Sequence, residues 1–174
     1  MSTESRATLD QHVADPLGDI FRLTVDERSL EQMIAGGRYD YVGSDITATR
    51  FPITTDQVGE WEARYFHFNI DIESPDAKAC IEAEDPENPW QAAHIGHLLA
   101  HGATHPAEQR TFPIIALGSV AEVHGYPYVP YLDRYGAHRY LYLNLWRYGW
   151  HRYCRFLAVR KVSDAPASER PAAA

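Results

Sequence analysis

Apolar and polar positions change period along this chain, and each change marks an element. Residues 20–25 (IFRLTV) alternate well enough for a strand. Asp26 stands where a helix N-cap belongs, acids follow it, and Leu30, Met33 and Ile34 fall at i, i+3 and i+4. That spacing predicts a short amphipathic helix stopped by Gly36-Gly37. Residues 39–42 read as a short strand before a Ser/Asp/Thr-rich loop that runs to Phe51-Pro52. The clearest strand covers 61–72 (WEARYFHFNIDI). Trp61, Ala63, Tyr65, His67 and Asn69 share one side of it; Arg64, Phe66, Phe68, Ile70 and Ile72 share the other, drier side, which is expected to meet the core.

Ser74 is placed to cap the next helix, with Pro75 at its first position and the acidic, proline-broken run 82–89 ending it. A third helix is expected over 91–103, stopped near Gly102 and Pro106. Everything after Phe112 reads as strands, over 112–123, 126–132, 138–145 and 153–162. Turn residues separate them at His124-Gly125, 133–136 and Tyr148-Gly149. About three short helices early and strands late argue for an α+β fold, its antiparallel sheet formed largely by the C-terminal third. One domain is expected over 18–162, between a loose N-terminus (1–17) and an Ala/Pro/Ser-rich, disordered tail (163–174).

Composition narrows the class. The 174 residues are 45% hydrophobic and 23% charged, enough apolar material for a core, and no repeat is visible. No apolar run approaches the ~20 residues of a membrane span. The first ten residues lack the basic and apolar regions of a secretory leader, so a cytoplasmic location is expected. Cys80 and Cys154 lie far apart without a second Cys at metal-ligand spacing, which points to reduced thiols and no thiolate zinc site. The net charge of −8 is uneven: residues 1–109 hold 7 Lys and Arg against 20 Asp and Glu, residues 110–174 hold 9 against 4. No acid lies between Arg134 and Lys161. The split suits an internal charge match, a homo-oligomer or a charged partner. Strong sequence-specific binding of DNA or RNA is not expected, since phosphates would approach against the net field.

Two clusters carry candidate chemistry. His94, His97, His101 and His105 fall within one sector of a helix, at spacings that permit joint coordination of zinc, copper or nickel. No Glu stands beside them as a general base, and Gly96 and Gly102 weaken the helix. The histidines are therefore expected to form a solvated polar face opposite Ile95, Leu98 and Leu99. The second cluster is the aromatic and basic stretch from Arg139 to Arg155. Within it Leu141, Leu143 and Leu145 alternate with Tyr140, Tyr142 and Asn144 as on a strand. Trp146, Arg147, Tyr148, Trp150 and Arg152 sit outside that alternation, in a turn. Trp, Tyr and Arg dominate interaction hot spots, so this loop is the expected recognition surface. Nucleophile-elbow and phosphate-loop motifs are absent: neither Gly118-Ser119 nor Gly36-Gly37 has the required neighbours.

Residues 30–42, Phe51-Pro52, 67–69, 98–100, 112–119 (FPIIALGS), 129–132 and 154–161 (CRFLAVRK) resemble a group of small bacterial proteins to which no activity is attached. The order of elements, closing on CRFLAVR, is more faintly similar to a C-type-lectin-like domain, which would imply binding through the late loops. The expected function is that of a non-enzymatic binding protein, without cofactor, recognising a protein or small ligand through the loop at Trp146–Arg152. The alternative is a metal-dependent enzyme or metal sensor using His94, His97 and His101.

Overall fold

The computed structural model describes residues 18–162. The segments 1–17 and 163–174, expected to be loose or disordered, lie outside the described residues. Helix α1 (Leu30–Gly37) lies between strands β1 (Phe21–Val25) and β2 (Tyr41–Val42); β3 (Gly59–Phe66) and β4 (Ile72–Glu73) precede α2 (Ser74–Ala83), and α3 (Ile95–Thr104) lies between β5 (Gln91–Ala92) and β6 (Ile114–Ile115). Five strands then follow: β7 (Ala121–Val123), β8 (Tyr126–Tyr135), β9 (His138–Leu145), β10 (Gly149–Trp150) and β11 (Arg155–Lys161). This is the α+β class expected.

A nine-stranded sheet runs in the order β1-β3-β11-β6-β8-β9-β2, with β5 added on β11 and β7 on β8. Its pairs are antiparallel except β11–β6 and β2–β9. β4 and β10 make a separate two-stranded ribbon. Three strands from the first half, β1, β2 and β3, thus share the sheet with the C-terminal strands.

Helices cover both faces of this sheet. On one face α1 and α3 bring Leu30, Met33, Ile95, Leu98 and Leu99 onto Leu23, Trp61, Ala63, Leu157 and Val159. On the other, α2 and the ribbon bring Ala77, Ile81, Ile72 and Trp150 onto Phe66, Phe156, Ala158 and Ile115. β3 is therefore buried on both sides at Trp61, Ala63 and Phe66, while Glu60 near its start is exposed. Trp61 and Ala63, assigned above to the wetter side, are 2% and 0% exposed, while Phe66 and Phe68 on the other side are 1% exposed. Period-two alternation separates in from out only where one face meets water.

Other differences have local causes. Ser29, not Asp26, caps α1: its hydroxyl accepts the Gln32 N–H and the Gln32 side chain accepts the Ser29 N–H, each at 3.1 Å. Asp26 instead pairs with Arg28 at 3.1 Å. The glycine pair lies within α1, which stops at Arg38 in the left-handed region, φ 51°. α3 starts four residues later than expected because Gln91 and Ala92 pair with β11. Residues 112–123 divide into β6 and β7, since the chain turns inward at Gly118. There the Gly118 N–H reaches the Ala93 carbonyl at 2.8 Å, and a Cβ would sit 2.5 Å from the Ala92 carbonyl oxygen. The sharp β7–β8 turn uses His124 and Gly125 at φ 50° and 84°.

Candidate functional site

The histidine helix is interior. Ile95 to Gly102 are all buried, and His97 and His101 are 0% and 1% exposed, so the expected solvated face is overturned. Trp61 and Tyr65, two residues apart on one side of β3, meet them. The His97 Nδ1 accepts the His94 N–H at 2.9 Å, and its ring stands 4.3 Å from the Trp61 ring at 80°. The Tyr65 hydroxyl donates to Glu108 Oε2 at 3.3 Å, so His101 donates to the Tyr65 oxygen from Nε2. Burial pushes both His97 and His101 down to about 3, which keeps them neutral. Burial, then the Glu108 charge, pushes the Tyr65 phenol up. His94 is half-buried and His105 exposed, stacked on His101 at 4.8 Å. Among the described residues no group of three or more His, Cys, Asp or Glu is placed to hold a metal ion.

Within the aromatic and basic stretch, side chains divide between packing and surface. Trp150 is 1% exposed and gives its indole N–H to Ser74. Trp146 is half-buried against the same apolar cluster. Arg147, Tyr148 and Arg152 are exposed, as are His151 and Tyr153. The loop backbone is fixed from outside: the Arg152 N–H donates to Asp71 at 3.1 Å, and its carbonyl accepts from His67 Nε2 at 2.7 Å. Arg139, by contrast, is 4% exposed and belongs to the core. Its guanidinium donates to the carbonyls of Gly37 and Gly102, near the C-terminal ends of α1 and α3, and lies 4.8 Å from the Tyr39 ring. Burial holds the Tyr39 phenol up at about 12. Cys80 and Cys154 are both buried, and burial pushes the Cys154 thiol up to about 12, an unreactive setting.

A second group beside the loop completes a surface. Tyr131 lies opposite Tyr142 and Asp133 opposite Tyr140 across β8 and β9, while Tyr41 lies opposite Tyr140 across β2. Opposed residues share a face. The rings of Tyr41 and Tyr140 are 4.7 Å apart, and those of Tyr140 and Tyr142 4.8 Å. Trp150 bridges Tyr131 and Tyr148, at 5.9 and 5.3 Å. α2 and the ribbon pack on β3, β11 and β6 but stop short of this end of the sheet, so Tyr41, Tyr148 and Tyr153 are 49%, 47% and 56% exposed. In the sequence these tyrosines do not stand out, because a Tyr/Leu alternation has the pattern of any half-exposed strand. The available signal was that β8 and β9 each carry aromatic residues on the side opposite their leucines.

Beside this face is an open cavity of about 390 Å³ lined by Gln109, Thr111, Phe112, Pro113, Asp133, Arg134, Tyr135, Gly136 and Tyr153. Burial raises the Asp133 carboxyl above its usual value, although Oδ1 accepts the Arg134 N–H at 2.7 Å.

Comparison with protein families, with curated proteins and with solved structures gave no match. Among the described residues no helix is long and apolar enough to cross a membrane.

Proposed function

We propose that this chain is a non-enzymatic binding protein that recognises a protein partner through the uncovered tyrosine face of β8, β9 and β2 and the loop beside it. The observation that carries the reading is two neighbouring groups of aromatic rings, Tyr41, Tyr140 and Tyr142 on the sheet and Tyr131, Trp150 and Tyr148 where the loop meets it, with Tyr41 and Tyr148 about half exposed. Tyrosine gives large contact area at small entropic cost, and its hydroxyl accepts or donates at the rim. Neighbouring rings hold one another in place, so less freedom is lost on binding. Arg147 and Arg152 stand exposed at one end and supply charge-assisted contacts to an acidic rim. Of the five loop residues expected to bind, Arg147, Tyr148 and Arg152 are proposed to touch the partner, while Trp146 and Trp150 position them.

Affinity capture from extract of the source cells tests this, with wild type, Tyr140→Ser/Tyr148→Ser and, at the far edge of the sheet, Arg22→Ser. A polypeptide retained by wild type and Arg22→Ser but lost from the tyrosine variant is the expected result. Equal retention on all three would remove the face from the account.

A further inference from the structure

The cavity beside the tyrosine face carries an acid, Asp133, within a C-terminal region that is otherwise basic on balance. Asp133 is the one acid on its wall, and no ion pair satisfies it among the described residues. Its charge is felt by the groups around it: burial and then the Asp133 carboxylate hold up Tyr131 and Cys154, and burial, Cys154 and then Asp133 hold up Tyr153. Gln109, 1% exposed, spends its amide N–H groups on the carbonyls of Asp133 and Tyr140, at 2.8 and 3.1 Å, and its Oε1 has no partner among the described residues. Oδ1 of Asp133 is taken by the Arg134 N–H, so Oδ2 is the carboxylate oxygen left without a donor among the described residues, while the Gln109 Oε1 is buried behind the wall. Neither nearby guanidinium pairs directly with that carboxylate, although the Arg134 charge acts on it from the cavity wall. Arg134 Nη1 turns to the Gly136 carbonyl at 3.3 Å, and Arg155 Nη1 to the Tyr153 carbonyl at 3.0 Å while its head lies over Phe112.

Three aromatic side chains, Phe112, Tyr135 and Tyr153, contribute to the walls, together with Thr111, Pro113 and Arg134. A half-buried carboxylate beside exposed aromatic rings, here Tyr135 and Tyr153, is complementary to an organic cation: the carboxylate takes the charge and an N–H, and ring faces attract the rest of the head group. The volume lies within the range of small-molecule sites. We infer that this cavity is a binding site for an alkylammonium group, seated on Asp133 between Tyr135 and Tyr153. The same chemistry is offered by a free small amine and by a lysine side chain of a larger ligand. The site stands on its own lining and does not depend on what the tyrosine face binds.

Titration of the full chain, followed by amide chemical shifts, tests it with n-butylammonium chloride, the neutral isostere n-butanol and Nα-acetyl-lysine amide. At least one ammonium probe is expected to shift the amides of Asp133 to Gly136, Phe112 and Tyr153 saturably, while butanol leaves them in place. Whichever ammonium probe binds tighter identifies the source that fits. Asp133→Asn keeps an acceptor for the Arg134 N–H and is expected to weaken binding about tenfold, a change of about 1.4 kcal/mol. Asp45→Asn, which removes an acid elsewhere on the surface, is expected to leave it unchanged. Saturable binding of butanol equal to that of butylammonium, an Asp133→Asn variant that folds and binds as wild type does, or no saturable shift with either ammonium probe would each overturn the assignment.

Discussion

The indole of Trp150 donates its N–H to the hydroxyl of Ser74 at 2.8 Å, and both residues are buried, at 1% and 0% exposure. This one bond ties the C-terminal aromatic loop to the first turn of α2, 76 residues away in sequence. It explains why neither residue acts as its local sequence suggests: Ser74 caps no helix, and Trp150 is not a surface aromatic. The loop is thereby held in place instead of hanging from β9.

Trp150→Ala is expected to lower stability by about 3–5 kcal/mol through the lost volume and the stranded Ser74 hydroxyl. Ser74→Ala, which removes only the acceptor, should cost about 1–3 kcal/mol. Urea unfolding of both variants checks the order. Equal, negligible losses would mean that the loop is not anchored there.

Arg139 makes a second prediction. Its guanidinium holds carbonyls of α1 and α3 and stacks on Tyr39, and a Cβ at Gly102 would lie 2.1 Å from the Tyr39 hydroxyl, so the three groups are closely fitted. Arg139→Met is expected to destabilise by about 3 kcal/mol or more, since two charge-assisted bonds at about 1.5–3 kcal/mol each are lost. Arg139→Lys should fall between wild type and Met, because an ammonium reproduces neither the fork nor the stacking. Denaturant midpoints give the ranking.

The buried histidines set an acid limit. In the fold His97 and His101 sit at about 3, against 6.5 for the unperturbed side chain. Above about pH 6.5 both states are neutral there and the contribution to stability is complete. Below it the unfolded chain binds protons that the fold refuses, so stability falls as pH drops towards 3. The slope should approach about 1 kcal/mol per pH unit for each histidine. Unfolding free energies at pH 7.5, 6.5 and 5.5 should therefore decline for wild type and decline less for His97→Asn/His101→Gln, whose amides mimic the bonded ring nitrogens. Parallel slopes would contradict the burial of the two rings.

What was legible in the sequence follows from range of interaction. The β8–β9 hairpin could be read because alternation and the turn at Gly136 act locally, and Tyr126 to Leu145 pair in register. β3 was readable as a strand and its Phe66 side as core, but the burial of Trp61 and Ala63 on the opposite side was not, since α1 and α3 cover that face from elsewhere in the chain. The histidine face failed for a related reason. Imidazoles look polar one by one, and only the approach of Trp61 and Tyr65 from β3 makes a buried place for them. At the proposed site Arg147, Tyr148 and Arg152 could be picked out, because a loop next to a strand exposes its large residues. Tyr41 could not, since it reaches Tyr140 only through the parallel β2–β9 pairing.

The central claim is that the uncovered tyrosine face is where a partner sits, and site-specific photo-crosslinking tests it most directly. A benzophenone amino acid would be placed singly at Tyr142, at Tyr148 and, as a distant surface position, at Arg22, and irradiated in the source cells. The account predicts that Tyr142 and Tyr148 yield an adduct with the same polypeptide, whereas Arg22 does not. An adduct of that polypeptide from Arg22 alone, or no adduct from either tyrosine position in folded protein, would contradict it.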